Sequence, residues 1–92
     1  MLEYKLTDCW ERSKQHPTTF EIPTREEIRE LKMGDFVKLI FNDEERMWVE
    51  IMGKRLTTWI GRLDSQPLCA PLEKNTEIEF ETRHICSIMK EK

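Results

Sequence analysis

A chain of 92 residues, 36% charged and 38% hydrophobic, fits one small domain and leaves no room for a second of ordinary size. Fifteen Lys and Arg stand against eighteen Asp and Glu; the net charge of −3 argues against a broad nonspecific grip on nucleic acid, which draws its affinity from phosphate neutralisation. No apolar run approaches the ~20 residues of a membrane-spanning helix, and "MLEYKLTDCWERSK" lacks a signal-peptide core, so the expectation is a soluble cytoplasmic protein without a membrane.

Residues 1–20 read as an N-terminal arm that packs on a single β-rich domain at 21–92. Its apolar anchors are Leu2, Tyr4, Leu6, Trp10 and Phe20, and a short helix around Trp10 ends at His16-Pro17. Thr24 and Glu27 form a capping box, with each side chain placed to satisfy the other's orphan backbone donor. Ile28 and Leu31 then share a face and Gly34 supplies a stop, which predicts a helix over 24–32. Gly34 suits a positive φ there, and Asp35 suits hydrogen bonds to the amides of the turn.

"FVKLIF" at 36–41 predicts a strand, being β-branched and aromatic after a glycine stop. "NDEER" at 42–46 reads as a hairpin loop and "MWVEIM" at 47–52 as the next strand. "GKR" at 53–55 is then a turn, and "LTTWIGR" at 56–62 a third strand. "LCAPL" is too proline-bound for a central strand, "EKN" turns the chain, and "TEIEFE" at 76–81 alternates with Ile78 and Phe80 inward. "RHICSIM" at 83–89 closes as a strand or a short helix. The fold class is α+β: a small antiparallel β-meander or an SH3-like barrel with one short N-terminal helix.

Four stretches in this order resemble the YegJ-like family of bacterial domains of unknown function. They are the Gly34-Asp35 pair before Val37, Lys38, Leu39 and Phe41; the "MWVE" strand from Met47 to Glu50; the turn with Gly61, Leu63, Asp64 and Pro67; and the end with Ile78, Phe80, His84 and Ile85. Asp64-Ser65 departs mildly from the Asp/Asn pattern of that turn. The resemblance spans about residues 20–86. It implies a fold class and a bacterial origin, and brings no activity with it.

The candidate working surface rests on two tryptophans. With Val49 and Ile51 inward, alternation sends Trp48 and Glu50 to the other face; with Ile60 inward, Trp59 and Gly61 join them. Two indoles then stand side by side, with Glu50 and Thr57 nearby and Arg46 and Arg62 as polar handles, a surface suited to gripping a protein partner. The competing expectation is that the arm, through Tyr4, Leu6, Trp10 and Phe20, covers that face and buries both rings.

Other chemistry is weaker. Cys9, Cys69 and Cys86 are odd in number, which suits free thiols in a reducing compartment. His84 and Cys86 with Cys9 and His16 are ligand types, but no usual metal spacing joins them, and a structural role for Cys86 and His84 is favoured. Glu77, Glu79 and Glu81 alternate with core residues and point to solvent. No nucleophile–base motif or phosphate-binding glycine loop occurs, so neither catalysis nor a cofactor is expected. The reading is a noncatalytic protein-binding or accessory module. Its rivals are an immunity-type protein that neutralises a toxin by acidic complementarity and a small β-barrel that binds nucleic acid.

Overall fold

The computed structural model describes residues 4–16, 22–68, 70 and 72–89; Leu2, Phe20 and Cys69 lie outside them. Two short helices precede the strands: α1 (Cys9–Gln15) and α2 (Arg25–Arg29). Asp8 caps α1 by accepting the Glu11 N–H at 2.9 Å. The capping box of α2 forms as the sequence suggests: Thr24 N–H donates to Glu27 and Glu27 N–H to Thr24, at 2.9 and 3.2 Å. The helix is shorter than expected, stopping at Arg29.

Five strands follow: β1 (Phe36–Phe41), β2 (Glu45–Lys54), β3 (Trp59–Leu63), β4 (Glu77–Phe80) and β5 (Ser87–Met89). They pair antiparallel in the order β4-β3-β2-β1-β5, a meander whose last strand returns beside the first. β4 and β5 are the two edges, so the sheet is open and does not close into an SH3-like barrel. The closing segment is both things the sequence allowed, a 3-10 turn at Thr82–His84 and then β5.

Local chemistry explains the joints. The helix ends at its Glu30 C-cap, so Gly34 is not its stop; Gly34 takes φ 95° in the turn that leads into β1, where the buried Asp35 carboxylate accepts the Lys32 N–H at 3.1 Å. Asn42 and Asp43 take positive φ at the β1–β2 hairpin, a conformation their short polar side chains tolerate. The expected turn at 53–55 is displaced: β2 runs on to Lys54, the Arg55 N–H closes onto the Thr58 carbonyl, and Leu56 and Thr57 are exposed outside β3.

The inner face of the sheet carries the core, with Val37, Leu39 and Phe41 on β1 and Met47, Val49 and Ile51 on β2. Leu31, Leu72 and Ile85 close it from the connections, and Tyr4 and Leu6 pack against it from the arm. The arm also extends the sheet. β5 covers one side of β1 only over residues 36–38. Beyond that, Leu6 bridges Phe41, and Thr7 N–H donates to the Ile40 carbonyl at 2.9 Å.

Cys9 and Cys86 tie these two pieces together in a disulfide across 77 positions of sequence, with Cα atoms 5.5 Å apart. This corrects the expectation of free thiols, since two of the three cysteines are bonded. The bond and Ile22 cover Ile40, so one end of the outer face is closed as a small second cluster. Among the described residues no helix is long and apolar enough to cross a membrane.

Candidate functional site

The two tryptophans do not share a face. Val49 faces Leu63 and Ile51 faces Gly61 across the β2–β3 ladder, so Trp59, Gly61 and Leu63 all point inward with Val49 and Ile51. Trp59 is 6% exposed and belongs to the core; Ile60 is the half-buried residue facing out. The expected side-by-side indole pair is therefore corrected by a reversal of β3. Gly61 is inward because nothing larger fits: an added Cβ would collide with Val49 and lie 3.0 Å from the Glu50 carbonyl oxygen and 3.2 Å from Phe80.

Trp48, Glu50 and Arg62 do lie on the outer face. Lys38 stands opposite Trp48 with its ammonium 4.9 Å above the ring, and Arg62 is bonded to Glu50 at 2.7 Å. Those side chains satisfy each other, as on the solvated side of an antiparallel sheet. Thr57 is in the exposed loop before β3 and joins neither group.

A different site lies on the inner side. Ladder register shifts between Ile51 and Gly53, making Met52 an extra residue. The bulge sets Lys54, rather than Gly53, opposite Trp59. Lys54 Nζ then sits 4.8 Å above the Trp59 ring, and the indole N–H donates to the Thr82 hydroxyl at 3.3 Å. Between this end of the sheet, α2 and α1 is a recess of about 800 Å³. Trp59 and Ile51 form its floor, Ile28 and Leu31 one wall, and Trp10 from α1 another. Arg25, Arg29, Lys32 and Lys54 line it as well, and all four are exposed.

The arm thus does approach Trp59, but as one wall of a recess. Sequence reasoning missed this constellation. The one local signal was the spacing of Arg25 and Arg29, four apart and so on one side of a helix. The rest depends on a fold-back that no local pattern announces.

The remaining candidates separate. His84 Nδ1 accepts the Glu81 N–H at 3.0 Å, and Arg83 bridges Asp8 and Glu81 at 3.0 and 3.2 Å. Burial first, and then the Arg83 charge, lower the His84 pKa below its usual 6.5, in keeping with an acceptor nitrogen. Among the described residues no three His, Cys, Asp or Glu side chains gather where a metal would be held. Comparison with known proteins finds no matching family model, no similar curated protein and no similar solved structure.

Proposed function

We propose that the protein is a noncatalytic protein-binding module, and that its docking site is the recess against Trp59 rather than the sheet face around Trp48. The observation that carries this reading is the recess itself: about 800 Å³ with an apolar floor, in a chain of only 92 residues. Its rim supports a macromolecular occupant. Trp10 and Met33 are 39% and 68% exposed and extend the apolar surface beyond the hollow, whereas a small-ligand pocket encloses most of its guest.

The immunity-type alternative leans on the acidic row of β4. Glu79 there is already engaged by the Thr58 hydroxyl at 2.7 Å and by Arg55 at 3.9 Å, which leaves less of the row for a toxin. Membership in the YegJ-like family is part of the proposal on its sequence motifs alone. A cytoplasmic location fits the Cys9–Cys86 bond poorly, because disulfides persist mainly in oxidising compartments.

The test is a pull-down comparing the wild type with a Trp10→Ala, Met33→Ala variant, each checked for folding by circular dichroism. Both side chains are partly in water, so the core is spared. A partner held by the wild type and by Trp48→Ala, but lost by the double variant, is the expected result. Equal capture by the double variant overturns the recess as the docking site.

A further inference from the structure

The four cations of the recess say what kind of segment fits it. Arg25 and Arg29 stand one helical turn apart on α2, Lys32 follows the helix, and Lys54 is brought round by the β2 bulge. Among the described residues that line the recess there is no Asp or Glu, although the chain holds eighteen of them against fifteen Lys and Arg. Three arginines elsewhere do have carboxylate partners: Arg62 has Glu50, Arg55 has Glu79, and Arg83 has Asp8 and Glu81. Among the described residues none of the four recess cations has one within ion-pair distance.

Resting on the reading of the recess as the docking site, we infer that its occupant is an acidic peptide segment of the partner. In that segment a large apolar side chain is flanked by Asp or Glu. The apolar residue enters against Trp59 and Ile51, where burial drives binding. The flanking carboxylates meet Arg25 and Arg29, whose guanidinium forks match carboxylate geometry, and Lys32 and Lys54 add charge at the mouth. A neutral peptide would leave the four cations without a carboxylate partner. A basic one would be repelled. The four cations at the mouth, none in an ion pair with a described carboxylate, also give an acidic partner a direction of approach.

A random-peptide display, run on the wild type and in parallel on the Trp10→Ala, Met33→Ala variant, separates the two levels of the proposal. The expected result is a set of peptides enriched on the wild type alone, each with Leu, Phe or Trp among acidic residues. A synthetic peptide of that set should lose about tenfold or more in affinity on Arg25→Glu, Arg29→Glu, and should weaken steadily as salt is raised. Both arginines are exposed, so this second variant keeps the fold. Enrichment on the wild type alone of neutral or basic peptides, or equal binding to the charge-reversed variant, overturns the acidic occupant and leaves the docking site standing. No enrichment specific to the wild type overturns both.

Discussion

Trp48 and Trp59 are the same residue, eleven positions apart, on neighbouring strands, and they have opposite fates. Trp48 lies half-buried on the outer face beneath Lys38, whereas Trp59 is packed into the core and floors the recess. Neither composition nor local hydrophobicity separates them. The ladder does: Trp48 neighbours the inward Val49 and so faces out, and Trp59 stands two residues from the inward Gly61 and so faces in. An aromatic residue in a strand acquires its role from register, and a one-residue error in register reverses that role.

Truncation is the most forceful way to break this comparison. Trp59→Ala removes a buried indole whose N–H is bonded to Thr82, and should cost about 3–5 kcal/mol. Trp48→Ala removes a half-buried ring and one cation–π contact, and should cost about 1 kcal/mol or less. Urea unfolding of both variants reads the difference directly. Equal costs would mean that the two rings share one environment after all.

Two glycines sharpen it at a smaller scale. Gly61 lies in the same strand as Trp59 and is walled by Val49, Phe80 and the Glu50 carbonyl, none of which is a free-swinging side-chain end. Gly61→Ala should destabilise by about 1–3 kcal/mol, as overpacking in a filled core does. At the bulge, a Cβ on Gly53 meets nothing within 4 Å, and its φ is not in the left-handed region. Gly53→Ala should therefore stay within about 0.5 kcal/mol of the wild type. If the two alanines cost the same in thermal melts, Gly61 is not the wedge that fixes β3.

What was legible in the sequence was whatever a few adjacent residues decide. Thr24 and Glu27 announce their box, Gly34 and Asp35 their turn, and "FVKLIF" its strand, because each signal is closed within the segment that carries it. β3 was not legible for a definite reason. "TWIG" offers two adjacent apolar residues, so alternation alone permits either to be inside; the choice is made by Val49 and Phe80, which leave space for hydrogen at position 61 and for nothing more. The Cys9–Cys86 bond escaped because its partners are 77 positions apart and a third cysteine hid the pairing. The recess escaped for the same reason: Trp10, Arg25 and Lys54 become neighbours only after the arm, α2 and the bulged end of β2 converge.

The outer face divides further, into the open part at Trp48 and the part closed by α1 and the disulfide, and pH should tell these apart with the smallest effect of all. His84 sits beside Cys86 at the closed end, where burial and then Arg83 hold its pKa below 6.5 and its Nδ1 accepts the Glu81 N–H. The folded protein therefore resists protonating this ring, while the unfolded chain takes the proton near 6.5. Below that pH the unfolded state binds more protons, so the contribution of His84 is complete above about 6.5 and is lost as pH falls toward its lowered folded value. The Glu81 carboxylate, lowered by its hydrogen bond from Arg83 and then by the Arg83 charge, adds a loss of the same sign at more acidic pH, below its usual 4.5. Denaturation midpoints should hold steady down to about pH 7 and decline from there toward pH 5. His84→Asn, which keeps an acceptor for the Glu81 amide but does not titrate, should flatten that decline, and Trp48→Ala should leave it unchanged. A decline that persists in His84→Asn would assign the pH response to groups other than the closed end, and one that vanishes in Trp48→Ala would join the two ends of the outer face into a single unit.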